Sequence, residues 1–408
     1  MDQLLDELFG KRGSTRERAL PLIIEGFTIN YCHPFSQKNF ATLLYRFLYS
    51  FKKGSSKEIA LASHALGLLA VTIGCGDNAH ELYRESLPFI SKVLKSGPES
   101  LLLSIIDCLA IVTFVGGSDF EETETSMQIL WHFIHLESGD NVVAKKHSSA
   151  VLSAAISAWS LLLTTIDGWN INYNYWKGAI SVFLDLLQVD EPSVHIAAGE
   201  ALALICEVGF LEKFVFDANS ADNGPNEKEN DLLNQYSSMK ELQEKISSHV
   251  RSHFQQTANK SSASNALNER HKFSWDLLNV LEDGCFRETA LKIGKQSLEL
   301  NSWSQLLQVN FLKHFLRRGF VKHMLENEFL HDVFNFTPRK QTSGNGLYIS
   351  EREEVTIKLF VPEVRKRDCE DFPERIHRSP SAAFRKAKTQ LLNKQRYAKG
   401  KELWPSYD

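Results

Sequence analysis

Two histidines four residues apart on a helical stretch, His249 and His253, have the spacing of a shared metal pair. No acidic or cysteine ligand stands at a spacing that would complete the site, so no metal is assigned. His132 and His135 flank Phe133 beside Trp131 and read as surface or interface residues. The six cysteines form no CxxC pair, and Cys75 and Cys108 lie inside apolar runs. That is the usage of small hydrophobes in a reducing compartment rather than of nucleophiles. No phosphate-cradling glycine loop, HExxH helix or GxSxG elbow occurs. The sequence therefore offers no catalytic residue, no metal, no cofactor and no small-molecule substrate.

The other chemistry on offer is electrostatic. Between Ser379 and Lys401 stand Arg385, Lys386, Lys388, Lys394, Arg396, Lys399 and Lys401, with no acidic residue among them. Ser379 or Ser381 can cap a helix there and Pro380 suits its first turn. Phe384, Ala387 and Leu391 make a narrow apolar stripe within that cationic surface. Such a helix is not a core helix. It either meets an anionic surface, for which nucleic-acid phosphates have the charge density, or it is a solvated tail. A second cluster, Lys313, His314, Arg317, Arg318, Lys322 and His323, reads as a solvated face or as an extension of the same anion-binding surface. The whole chain carries a net charge of −4, so anion binding must be local.

These residues need a scaffold, and residues 1–336 read as one. The N-terminus, MDQLLDELF, is acidic and amphipathic, unlike a signal peptide. The chain enters periodic helix almost at once, which raises the expectation that a natural N-terminal tail is missing here. Ser14-Thr15-Arg16-Glu17 is a capping-box pattern that predicts a helix over 14–31. Pro34 is a break, and Phe40 to Phe51 carry the next helix, ending near Gly54.

A pattern then recurs. HALGLLAVTIG (64–74), DCLAIVTFVGG (107–117), SAWSLLLTTID (157–167, then Gly168) and EALALICEVG (200–209) each run from a small residue through a dense apolar stretch to glycine. Ala65, Cys108, Ala158 and Ala201 hold the same place in it, at offsets of 43, 50 and 43 residues. That period is the HEAT/armadillo one. Amphipathic helices over 82–94, 127–136 and 176–187 fall between. The fold class is thus all-α: an armadillo/HEAT-like α-solenoid whose recurring helix is covered on both sides. The uncharged run 148–166 is long enough to cross a membrane but falls in phase with its neighbours, so it is read as buried and no membrane is assigned.

The expected layout is a helical-repeat region over 1–216, a disordered loop over 217–230, a second helical-repeat region over 231–336, a linker over 337–378 and the basic C-terminal helix over 379–408. Helices are expected over 231–256, 273–281, 288–298, 303–317 and 321–334, with Asn301-Ser302 capping the fourth. No strand is expected before residue 345; VTIKLFV (355–361) could form a short one.

Three stretches carry a resemblance. Lys11 to Leu20 (KRGSTRERAL), Trp303 with Glu326 to Phe334 (ENEFLHDVF), and Ser381 to Thr389 (SAAFRKAKT) resemble the interferon-related developmental regulator family. The continuation TQLLNKQR (389–396) is similar to the plant branch. The insert over 346–372 fits the family poorly. The resemblance implies an armadillo-like helical fold without catalysis. It implies two roles: binding to inactive ribosomes through the C-terminal helical part, and nuclear transcriptional co-regulation through protein complexes. By resemblance, the RNA-contact role falls on Arg385, Lys386, Lys388, Lys394 and Arg396. Phe384 is expected either to stack or to dock the segment onto its own solenoid. Arg365-Lys366-Arg367 is a short candidate for nuclear import. The protein is expected in both cytoplasm and nucleus.

Overall fold

The computed structural model describes residues 1–135, 147–166, 173–189, 191–219, 241, 244–248, 250–252 and 289–338; for 173–177 and 209–219 it describes backbone only. The first half is a run of helices: α1 (Asp2–Glu7), α2 (Gly13–Ile29), α3 (His33–Lys38), α4 (Phe40–Lys53), α5 (Ser56–Ile73), α6 (Asp77–Ser96), α7 (Glu99–Gly116), α8 (Phe120–His135), α9 (Ser149–Leu163), α10 (Tyr173–Leu186) and α11 (Pro192–Asn219).

The apolar repeat explains how they stack. Helix α2 packs on α5, α5 on α7, α7 on α9 and α9 on α11. Outer helices α4, α6, α8 and α10 each cover the inner helix that follows in sequence. Ala65, Cys108, Ala158 and Ala201, the small residues of the repeat, are all fully buried. Small side chains there let neighbouring inner helices approach closely, while the outer helices keep one polar face in water. This is an armadillo/HEAT-like solenoid. Helix α9, which holds most of the uncharged run, is interior. Helices α5 and α7 are long and apolar enough to cross a membrane, and most of each is buried against its neighbours.

Charge is also built into this core. Arg16 donates from Nε to Glu58 Oε1 at 2.6 Å and from Nη2 to Oε2 at 3.0 Å, and Ser50 Oγ donates to the same carboxylate at 2.7 Å. Both partners are buried.

Beyond residue 252 the described chain resumes as a β-hairpin, β1 (Thr289–Ile293) and β2 (Gln296–Leu300). Here the sequence expectation of a helix over 288–298 is corrected, and with it the expectation of no strand before 345. Leu291 faces Leu298, and Ile293 pairs with Gln296 across a two-residue Gly294-Lys295 loop. Gly294 has φ +60°, the positive value that the first loop residue of a type II′ hairpin turn requires. Ile293, Leu298 and Leu300 are buried, so the alternation is real and buries one face.

The chain then forms α12 (Trp303–Leu316), a 3-10 turn (Arg317–Gly319), α13 (Phe320–Glu326) and α14 (Glu328–Phe334). Ser302 caps α12 as expected, accepting from Gln305 N, and Gln305 Oε1 accepts from Asn301 N. The single helix expected over 321–334 is two, because Asn327 turns the chain. Its side chain accepts from Phe329 N to cap α14 and donates to Val71 O on α5.

Other local expectations shift in the same way. Helix α2 begins at Gly13 with no side-chain cap. The Ser14–Glu17 box is not formed, since Glu17 accepts the Ser55 hydroxyl at 2.6 Å instead. Pro34 opens α3 rather than breaking the chain. Helix α11 reaches Asn219, past Asp217 where the polar loop was expected to begin, and the rest of that loop lies outside the described residues. Of the helix expected over 231–256, residues 241, 244–248 and 250–252 are helical, with Ile246 and Val250 buried; the rest of it, and the helix expected over 273–281, lie outside the described residues.

Candidate functional site

The segment 303–334 runs back along the inner helices, against the order of the repeats. Ser304 meets α11: its N–H and Oγ both donate to Glu207 Oε2, at 2.9 and 3.2 Å. Gln308 donates to Thr164 Oγ1 just beyond α9. Phe315 packs on α5, its ring 4.6 Å from that of His64. Arg318 Nη2 reaches Glu25 of α2 at 2.5 Å, and His323 Nε2 lies 2.9 Å from Phe27 O. The chain thus lays its own C-terminal helices across the face formed by α2, α5, α7, α9 and α11.

That closure leaves a cleft of about 1200 Å³. Its inner-helix wall follows from the repeat. The residue just before each recurring small residue points about 100° round the helix from it, out of the packed seam. Those residues are His64, Asp107, Ser157 and Glu200, and all four line the cleft. Helix α12 supplies the facing wall from Leu307, Asn310, Phe311 and His314, at i, i+3, i+4 and i+7. Glu25, Arg317 and Arg318 close the α2 end.

The titratable groups here are displaced by burial. Burial pushes Glu200 up to about 7, and no hydrogen bond or ion pair reaches its carboxylate among the described residues. Asp107 is also raised by burial, against the opposing pull of His314, 3.9 Å away, and Arg317. His64 is pushed down to about 4 by burial first, then by the nearby Arg317 and His314. Glu207, two turns beyond Glu200 on α11, is raised to about 7 by burial despite its bonds from Ser304. Ser157, Ser193 and Asn310 also face the cleft without a side-chain hydrogen bond among the described residues.

No serine in the cleft is hydrogen-bonded to a histidine, so the arrangement has no activated nucleophile among the described residues. Cysteine is no better placed: burial raises the thiols of Cys32, Cys108 and Cys206, the last to about 12. Among the described residues no three His, Cys, Asp or Glu side chains could hold a metal ion. What the cleft can do is bind. It offers carboxylates and hydroxyls on apolar walls.

Of the residues singled out from sequence, Arg385, Lys386, Lys388, Lys394, Arg396 and Phe384 lie outside the described residues, as do His249 and His253. In the second basic cluster, Arg317 and Arg318 reach the cleft, while Lys313 and Lys322 are exposed outside its lining. Arg318 is paired with Glu25, and Lys322 with Glu326 on its own helix. The four cleft positions 64, 107, 157 and 200 were not singled out from sequence. Their signal was the shared phase one residue before the small residue.

At the N-terminal end stands a different surface. The Arg46 guanidinium lies over the rings of Phe9, Tyr49 and Tyr45, at 4.4, 4.8 and 5.9 Å, and also donates to Leu8 O. Phe9 and Tyr45 are 53% and 61% exposed. Large aromatics left in water beside a cation are a contact surface rather than a core.

Comparison with known proteins places these observations. The family model described as interferon-related developmental regulator (IFRD) matches residues 1–282. Interferon-related developmental regulator 2 of Mus musculus is 25% identical over 344 residues, covering 82% of this chain and 72% of that protein. Interferon-related developmental regulator 1 of Homo sapiens is 24% identical over 345 residues, covering 82% and 70%. Among solved structures, a designed armadillo repeat protein in complex with the peptide (KR)4 covers 68% of this chain and 98% of its own, at 16% identity and a TM-score of 0.42. The archaeal HEAT-like repeats protein from Thermococcus onnurineus covers 68% and 86%, at 15% identity and a TM-score of 0.41.

Proposed function

The chain belongs to the interferon-related developmental regulator family, and from that premise we propose that it is a non-enzymatic regulator, built as a protein-interaction scaffold, that binds ribosomes through rRNA, using its basic C-terminal segment, and so represses or preserves inactive ribosomes. The observation that carries this reading is the run of seven cations without one carboxylate between Ser379 and Lys401. Phosphate backbones meet that charge density, and single-stranded or irregular rRNA adds bases on which Phe384 can stack. Arg385, Lys386, Lys388, Lys394 and Arg396 make the phosphate contacts. The solenoid supports this reading by its own closure. Its inner face is covered by α12, and the C-terminal segment is the densest acid-free run of cations in the sequence.

The test is co-sedimentation of the full chain with purified ribosomes across a salt series. Five phosphate contacts give a log–log salt slope of roughly −3.5 to −4.5. Changing Arg385, Lys386, Lys388, Lys394 and Arg396 to Glu abolishes the association. Binding by the intact chain that is absent even at low salt defeats the reading.

A second reading is nuclear transcriptional co-regulation through protein complexes, with the protein in both nucleus and cytoplasm. The aromatic–arginine surface of Phe9, Tyr45 and Arg46 favours it, since protein hot spots are rich in those residue types. It predicts partners that remain bound when the C-terminal cations are reversed and that are lost on Phe9→Ala with Tyr45→Ala.

A further inference from the structure

We infer that the cleft between α12 and the inner helices is a docking site for the chain's own cationic segment 379–401, which is therefore either in the cleft or on RNA but not both. This deepens the ribosomal reading and rests on it.

Charge complementarity is the first argument. Among the described residues Glu200 faces the cleft with no cation or donor on it, and Asp107 has His314 at 3.9 Å and the charge of Arg317 nearby. Both carboxylates are half-buried, and a half-buried carboxylate without a partner loses part of its hydration, which a cation brought to it offsets. The cations already present lie at the other end, where Arg318 is matched by Glu25. Arg317 and His314 already act on Asp107, so the vacancy for positive charge is at the α11 end, at Glu200.

Shape and chemistry agree. The walls beside these carboxylates are Leu103, Leu307 and Phe311. The segment offers an apolar stripe, Phe384, Ala387 and Leu391, with Lys386, Lys388 and Lys394 beside it. Lysine stems lie along apolar walls while their ammonium groups reach carboxylates and hydroxyls such as those of Ser157 and Ser193.

Reach is the third argument. The described chain ends at Pro338, where Thr337 O accepts from Gln296 Nε2 on β2. Forty residues, 339–378, lie between that point and the segment, and a stretch of that number can extend to roughly 130 Å, far more than the roughly 21 Å length of α12. A tether of that kind holds its end at an effective concentration on the order of millimolar, so a weak site is enough.

The test uses the full chain with a zero-length carbodiimide cross-linker and mass spectrometry. Cross-links from Lys386, Lys388 or Lys394 to Glu200 or Asp107 within one molecule are expected. The Lys322–Glu326 pair serves as the internal positive control. Mixed light and heavy chains separate intramolecular from intermolecular links. In parallel, Glu200→Gln with Asp107→Asn, checked for an unchanged thermal melt, is expected to speed tryptic cleavage at Lys386 and Lys388. A segment docked nine-tenths of the time is released about tenfold, and RNA affinity rises by the same factor. Control cross-links without any to Glu200 or Asp107 overturn the proposal, and so do links between molecules only. Links that form while the carboxylate variant leaves RNA affinity unchanged overturn the mutual exclusion. If the links form but neither chain binds ribosomes, the ribosomal reading fails and the docking stands.

Discussion

Gly67 of α5 lies directly under the ring of Phe315 on α12: a Cβ built at Gly67 would stand 2.5 Å from Phe315 Cζ. The ring is itself buried, so it has no room to swing away. This contact sets how closely the C-terminal helices sit on the repeats. Gly67→Ala is expected to cost about 1–3 kcal/mol by overpacking and to raise amide exchange along α12. Adding Phe315→Ala relieves the clash, so the double variant keeps α12 protected better than Gly67→Ala alone. A double variant as unprotected as the single one refutes the contact as the cause.

The buried pair Arg16–Glu58 gives a second expectation. Arg16→Met leaves the buried Glu58 carboxylate with the Ser50 hydroxyl and, at longer range, the Arg46 charge. Breaking one side of such a pair costs about 3–5 kcal/mol, measurable by urea unfolding. Replacing both, Arg16→Met with Glu58→Leu, is expected to recover most of that loss.

Glu207 makes the seating of α12 depend on pH. Its folded value of about 7 lies above its ordinary 4.5. The folded state therefore holds the proton more tightly. The stability this provides is whole below about pH 4.5 and drains away as pH rises towards 7. Glu207→Gln keeps an acceptor for Ser304 and removes the titration. Relative to the natural chain, the variant gains on the order of 2 kcal/mol between pH 4.5 and 7. His64, pushed down to about 4, titrates with the opposite sign in the same window, so the difference between the two chains is the quantity to follow.

The hairpin offers a fourth test. Gly294 at φ +60° has only the Leu325 Cδ1 contact at 3.7 Å near a would-be Cβ, so strain rather than crowding decides its substitutions. Gly294→Val is expected to cost about 1–2 kcal/mol, and Gly294→Asn, which tolerates positive φ, clearly less. Thermal melts of the two variants separate them.

The solenoid was legible in sequence because its signal is local and repeated. Ala65, Cys108, Ala158 and Ala201 mark the inner helices at one phase; α5 and α7 end at their glycines, whereas α11 runs on past Gly209 to Asn219. The hairpin was not, because TALKIGKQSLEL spaces Leu291, Leu298 and Leu300 in a way that suits either period, and only the Gly294-Lys295 turn decides. The capping box at Ser14 failed for a similar reason. Glu17 had a second suitor, Ser55, 38 residues away. The candidate cleft was half legible. Its inner wall follows from the repeat phase, but its outer wall is α12. Nothing in residues 303–316 announces that they return to α5 and α9, because that return is made by contacts such as Gln308–Thr164, 144 residues apart.

That return has a consequence for how the protein is born. Ribosomes add roughly 5–20 residues per second, so the roughly 80 residues between α11 and α12 take about 4–16 s to emerge. Throughout that interval Leu61, Leu103 and Ala154 on the inner helices, which share the cleft with α12, lack that wall. The nascent chain is thus a sticky, half-clad object for seconds. Whatever meets it first, a holding chaperone or another copy on the same polysome, competes with the chain's own last helices for the same strip.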